Sequence, residues 1–419
     1  MALPVRWQRL VWCAPALLVL VAFGWTLRVP IFSYGVIPVD PAVRQAIARD
    51  YPDASKYKTL SDDVVFPYAI KTHGLWEMMR RPLIPGYAYW RPVGLAAFWL
   101  DQQVWGMWPP GYHLDNLLLH ILNCYLLAFL VFRITGSRKW ALGAACLFGA
   151  FPNNAIFPAI SIKFDVLCAT FVLGSALLFL TYLEQDESSA WRRGWAVAGA
   201  FALFVLALGS KETAVAFPLF LLGLTFLRLK ARPAGLKVLV LPIFVAAAWG
   251  VMALGAQITG GAAADRLAPY LDWARWPRLA GRSFNTLFPS VRTSQFALAQ
   301  WQVANIWLMP QLLARTVPVA FIVLGWALVV KRAARPAAVL LWWTMVMYLP
   351  AAPIAYGYVG QQQYGYIPYL GETAIVAIAA TLVGEWIAFR SGRQLWAYLS
   401  LPVLIGVYFV SIFVGYPWP

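Results

Sequence analysis

The sequence predicts an all-α protein that crosses a membrane many times, and three observations carry that prediction. Of its 419 residues, 61% are hydrophobic and only 12% are charged, about half the charged share of a soluble domain. Its apolar residues fall in runs of about 20, the length a helix needs to cross the hydrocarbon. The short alternating segments of a membrane β-barrel, about 10 residues each, are absent.

Tallying the runs gives about eleven spans, expected near residues 11–28, 113–132, 140–159, 164–183, 195–209, 213–229, 238–257, 316–331, 337–356, 367–388 and 395–414. The first begins after a basic start, like a signal peptide, but no convincing small-residue cleavage site precedes Val29, so an uncleaved helix is expected. The stretch from Val93 to Trp108 is apolar but broken by Asp101, Gln102 and Gln103. Counting it as a span would invert every later loop, so it is expected to lie at the interface or re-enter the membrane. No repeat relates the two halves, which argues against an inverted-repeat transporter.

With these spans, Arg6/Arg9, Arg133/Arg138/Lys139, Arg192/Arg193, Arg228/Lys230/Arg232/Lys237, Lys331/Arg332/Arg335 and Arg390/Arg393 share one side. An excess of basic residues marks the cytoplasmic side. The N-terminus is therefore expected inside and the C-terminus outside, in a bacterial inner membrane. The net charge of +16 follows from this topology and does not call for a nucleic-acid partner. Cys13, Cys124, Cys146 and Cys168 all fall in apolar runs and read as small buried hydrophobes.

The chain is thus expected to form a single integral membrane domain, 1–419, with exterior loops at 29–112 and 258–315. Both loops interleave aromatic and basic residues, a mixture that favours the headgroup layer. Trp76, Tyr87 and Trp90 sit among Lys71, Arg80 and Arg81 in the first, and Trp273, Trp276 and Trp301 among Arg275, Arg278 and Arg282 in the second.

Candidate chemistry collects on the exterior side. Asp62 and Asp63 are adjacent carboxylates, and mutual repulsion lets one keep its proton while the other acts as a base; alternatively, they cap a helix starting at Val64. His113, Asn116 and His120, three and four apart, share one helical stripe, either as a site or as interhelical packing. Lys163 with Asp165 and Lys211 with Glu212 sit at the outer ends of spans, where charges need partners. They either neutralise each other or hold a phosphate. Gln362 and Tyr364 suit sugar hydroxyls. There is no complete metal-ligand set, though an acid pair is compatible with a divalent cation; there is also no Walker loop, dinucleotide fingerprint or nucleophile elbow.

These residues also carry a resemblance. Asp62-Asp63, Tyr89-Trp90-Arg91-Pro92-Val93, the run Gly111 to His120, Phe148 to Pro152, Lys163 to Leu167 and Ser210-Lys211-Glu212 stand in an order similar to the GT-C glycosyltransferases. Within them the chain most resembles the membrane part of the TMTC-type protein O-mannosyltransferases, over roughly residues 60–215. It departs from that pattern at Lys163, where the family usually has Arg, and at Gln362-Gln363, where it has an acidic-arginine pair; the 419 residues contain no tetratricopeptide array.

The resemblance implies a GT-C-like bundle that transfers a sugar from a polyprenyl-phosphate carrier to a protein or glycan acceptor on the periplasmic or lumenal face, usually with inversion. In that scheme Asp62, supported by Asp63, is the base. Arg91, Lys163 and Lys211 bind the donor phosphate, while His113, Asn116, His120, Asp165 and Glu212 support them. Gln362 and Tyr364 contact sugar or acceptor. No cofactor is required by this scheme. The rivals are a transporter or flippase of lipid-linked sugars and a non-catalytic membrane subunit.

Overall fold

The computed structural model describes residues 11–24, 37–38, 59–60, 62–80, 91–150, 159–185, 190–228, 238–259, 309–350 and 365–415, with isolated positions at 27, 41, 45 and 48–49. The second exterior loop, apart from its flanking helical ends, lies outside these residues, as do Gln362 and Tyr364.

The described chain is helical apart from one small antiparallel ladder, β1 (Ile37–Pro38) with β2 (Thr59–Leu60). The helices are α1 (Ala14–Phe23), α2 (Asp62–Arg80), α3 (Pro92–Trp105), α4 (Pro109–Thr135), α5 (Arg138–Gly149) and α6 (Lys163–Glu184). They continue as α7 (Ala190–Ser210), α8 (Phe217–Arg228), α9 (Val240–Thr259), α10 (Met309–Tyr348), α11 (Tyr366–Ser391) and α12 (Leu395–Gly415), with short 3-10 turns before α6 and α8.

Local chemistry sets the ends. Proline at the first position starts α4, where its missing N–H costs nothing, and Gly136, in the left-handed region at φ 72°, ends it with a hydrogen bond back to Phe132. Ser137 then caps α5, accepting from the backbone N–H of Trp140 at 3.3 Å.

Four described segments are long and apolar enough to cross a membrane: Pro109–Thr135, Ile160–Glu184, Ala190–Ser210 and Tyr366–Ser391. Ala14–Phe23, Glu212–Phe226, Val240–Trp249 and Leu395–Phe409 are shorter apolar helices. The protein is an integral membrane protein; the described residues do not establish eleven spans. The expected spans at 316–331 and 337–356 correspond to the two halves of α10, which meet at a kink at Ala333, where φ is −139°. At 14 residues α3 is about 21 Å long, short of the hydrocarbon thickness of about 30 Å.

The bundle is built around α11, whose apolar window is wholly buried. Without a hydrophobic drive between helices in lipid, close packing of small residues does the work. Gly371 permits a close approach: a Cβ there would lie 2.5 Å from the Leu340 carbonyl of α10. The main core joins α1 and α4 to α12. A second cluster, Phe66, Ile70, Leu95, Phe98, Tyr112, Ile160 and Phe164, sits where α2 and α3 cover the starts of α4 and α6.

Candidate functional site

That aromatic cluster is the platform of the site. Phe66 stacks on Phe98 with ring centroids 5.2 Å apart and an interplanar angle of 4°. Phe164 meets both rings edge-on, at 5.8 and 5.3 Å. Such pairs are worth about 0.5–1.5 kcal/mol beyond burial. Gly94 lets α3 settle against Phe164, since a Cβ there would lie 2.3 Å from the ring.

Around Phe164, among the described residues, three cations meet carboxylates brought by other elements. Arg91, just before α3, makes a two-point pair with Glu212, Nε to Oε2 at 2.9 Å and Nη2 to Oε1 at 2.6 Å. Its guanidinium also lies 4.8 Å from the Phe164 ring centroid, a favourable face for a cation. Lys211, at the turn after α7, donates to Asp165 in the first turn of α6. Lys163 donates to Asp101 of α3, with Asp115 of α4 3.9 Å away. Asp115 in turn accepts from the indole N–H of Trp105 at 2.7 Å.

These partners differ from the local pairing that chain order suggests. Lys163 does not pair with Asp165, because residues two apart on a helix face different ways. Lys211 turns to Asp165, leaving Glu212 for Arg91. Lys163 and Lys211 are almost fully buried, where an unpaired ammonium would be very costly.

The acids respond to these surroundings in opposite ways. Burial pushes the Asp101 carboxyl up to about 6; Lys163 opposes that shift and the neighbouring Asp115 adds to it. Burial would also raise Glu212, but the charge and hydrogen bonds of Arg91, together with Lys211, outweigh it and hold Glu212 down at about 2.

The histidine stripe runs inward from this cluster. His113, Asn116 and His120 are all buried. Asn116 donates to the Ile160 carbonyl at 3.1 Å, and its Oδ1 has no hydrogen-bond partner among the described residues. His120 lies deeper, with Nδ1 2.7 Å from the Tyr366 hydroxyl. Asn123 continues the stripe, donating to Tyr366 at 3.2 Å and to the Val166 carbonyl at 2.9 Å. His120 and Asn123 thus tie α4 to α6 and α11, below the ion pairs.

Asp62 and Asp63 open α2 in the helical backbone itself, two residues before the start expected at Val64. Phe66, one turn after Asp62, seats that helix on Phe98. Sequence reasoning singled out no role for Asp101, Asp115 or Asn123. Asp101 was detectable as a charge interrupting an apolar run, and Asn123 as the next step of the 113, 116, 120 spacing. Among the described residues, no group of three or more His, Cys, Asp or Glu side chains is arranged to hold a metal ion.

Comparison with known proteins bears first on the fold. The fold is similar to that of the oligosaccharyltransferase of Archaeoglobus fulgidus, solved as a complex with zinc and sulfate, with a TM-score of 0.53 over 96% of this chain and 53% of that one. At 14% identity this is a likeness of fold, and the fold is GT-C-like. In sequence the chain is similar to the protein O-mannosyl-transferase Tmtc1 of Drosophila melanogaster, 32% identical over 127 residues. Those residues are 30% of this chain and 14% of that protein, so this chain spans only part of either relative. No family model matches. The fold likeness extends over nearly the whole chain, the sequence likeness over 30% of it.

Proposed function

We propose that this protein transfers a sugar from a polyprenyl-phosphate carrier to an acceptor hydroxyl on the periplasmic or lumenal face, with inversion at the anomeric carbon. The observation that carries the reading is the convergence of Arg91, Lys211 and Lys163 at one end of the bundle, each fixed by a carboxylate. They surround the ring cluster that seats the helix opened by Asp62 and Asp63.

In this scheme Asp62, supported by Asp63, takes the proton of the acceptor hydroxyl. The acceptor oxygen attacks the anomeric carbon opposite the carrier. The bond from that carbon to the phosphate oxygen breaks, and its electron pair leaves with the polyprenyl phosphate. Arg91, Lys163 and Lys211 stabilise that leaving group. Arg91 has the planar fork suited to two-point phosphate contact, while Glu212 and Asp165 orient Arg91 and Lys211. Lys163, between Asp101 and Asp115, is the most fully neutralised of the three. His113, Asn116 and His120 support the platform from below, and Gln362 and Tyr364 contact sugar or acceptor. A protein or glycan is the acceptor. A transporter of lipid-linked sugars would instead be expected to gather such charges at the bilayer midplane.

The test is to supply purified protein with a panel of radiolabelled polyprenyl-phosphate sugars and acceptor peptides or glycans, beside Asp62→Asn. Asn retains the size and capping ability of Asp but accepts no proton, so transfer should fall by about 10² to 10⁴ with donor binding retained. Full activity in Asp62→Asn leaves that residue only a structural part in the first turn of α2; no transfer by the native chain from any donor removes the reading.

A further inference from the structure

At the end of the bundle away from Arg91, Lys163 and Lys211, a crevice of about 670 Å3 runs between α1, α5 and α12. Its walls are apolar, formed by Leu17, Val21, Leu142, Leu401 and Ile405 among others. Leu17 and Val21 are more than half exposed, at 59% and 57%, so the crevice is open to its surroundings along α1. In an integral membrane protein those surroundings are hydrocarbon, and the shape and polarity fit an alkyl chain.

One end of the crevice is basic. Lys139, in the first turn of α5, lines it together with Tyr398 of α12, its ammonium 5.7 Å from the Tyr398 ring centroid. Lys139 and Arg332 share a single carboxylate, Glu385, at 3.3 and 3.7 Å. Two cations on one acid leave a net positive charge at the mouth, and Arg138 beside Lys139 is exposed. Arg390 and Arg393, at the end of α11 and just after it, belong to the same end of the bundle. A basic mouth on an apolar slot between membrane helices is the arrangement that takes an anionic lipid headgroup.

We propose that this crevice binds one anionic glycerophospholipid, an acyl chain lying between α1, α5 and α12 and the headgroup phosphate on Lys139. The site is separate from the sugar-transfer machinery and does not depend on the reading given for it.

The experiment exchanges detergent-purified protein into mixed micelles of phosphatidylglycerol and phosphatidylcholine in equal amounts, and counts retained lipid by native mass spectrometry. The native chain should keep one phosphatidylglycerol in about fivefold preference, the increment of one basic group near a lipid headgroup. Lys139→Gln should lose the preference. Gly406→Leu should lose the retained lipid with its thermal midpoint unchanged, because Gly406 lines the crevice and a Cβ there meets no atom within 4 Å. Equal retention of both lipids by the native chain overturns the proposal. So does a phosphatidylglycerol adduct undiminished in Gly406→Leu, an unchanged preference in Lys139→Gln, or a co-purified polyprenyl phosphate in the phospholipid's place.

Discussion

Arg91 and Glu212 stand 121 positions apart in the chain and meet through two parallel hydrogen bonds. The pair bolts the start of α3 to the turn between α7 and α8. Removing either partner leaves a charge in a part-buried setting, so Arg91→Met and Glu212→Gln should each cost about 1.5–3 kcal/mol. Arg91→Lys should recover little, since an ammonium cannot reproduce the two-point geometry. A double-mutant cycle on denaturant stability checks this; additive single effects would mean the pair contributes no coupling.

Lys211 and Asp165 allow a structural role to be separated from phosphate recognition. Lys211→Met alone leaves the buried Asp165 without its cation and should destabilise by about 3–5 kcal/mol. Adding Asp165→Leu should restore most of that stability. If Lys211 also holds the carrier phosphate, donor affinity should stay weaker by about 1.5–3 kcal/mol in the double variant. Native donor affinity in a stable double variant would confine Lys211 to its ion pair.

Asp101 predicts a pH dependence of definite sign. Its folded value, near 6, lies above its ordinary value of 3.8, so the folded state binds more protons between about pH 4 and 6, and stability falls as pH rises through that window. The change is at most about 3 kcal/mol for a shift of this size. Glu212 has the opposite sign: held near 2 against an ordinary 4.5, it contributes fully above about pH 4.5 and its contribution is lost as pH falls towards 2. Asp101→Asn should flatten the apparent thermal midpoint between pH 4 and 6, measured at fixed scan rate. An unchanged slope would show that Asp101 does not titrate there.

Gly94 should tolerate no side chain. An added methyl would sit within van der Waals distance of the Phe164 ring, and overpacking of this kind costs about 1–3 kcal/mol. Gly94→Ala should lower stability and Phe164→Leu should partly rescue it. Rescue is the informative readout, because a loss of backbone freedom alone would not respond to the partner.

Orientation is open to a direct check. With native Cys13 replaced by Ser, single cysteines at the exposed positions Lys71 and Arg393 should label from opposite faces of sealed vesicles, Lys71 with the exterior groups and Arg393 with the cytoplasmic ones. Labelling from the same face would undo the topology inferred from the basic clusters.

The chain shows openly which residues matter and conceals whom they meet. Lys163, Asp165, Lys211 and Glu212 stand out because charges at the edges of apolar runs need a reason to be there. Their partners come from α3, α4 and α6, and no local spacing encodes which helix lies beside which. Asp101 was legible only as an interruption and Asp115 only within a longer motif, yet both converge on Lys163. Long uniform spans such as α4, α6, α7 and α11 follow directly from hydropathy. The two helices that meet at Ala333 were also legible, through the basic residues Lys331, Arg332 and Arg335 between two apolar runs, but nothing in hydropathy shows that they meet at a kink.

The ion pairs also imply an order of assembly. A chain inserted from its N-terminus presents Arg91 and Asp101 long before their counterions exist. Lys163 can join Asp101 only once synthesis has passed Lys163. Asp165 then waits for Lys211 and Arg91 for Glu212, two neighbours that emerge together once the α6–α7 hairpin is complete. A nascent chain stalled just short of Lys211 would carry Arg91 and Asp165 without these counterions. Biogenesis of this protein therefore turns on a short segment in mid-chain, and substitutions at Lys211 or Glu212 should first appear as rapid turnover of newly made protein.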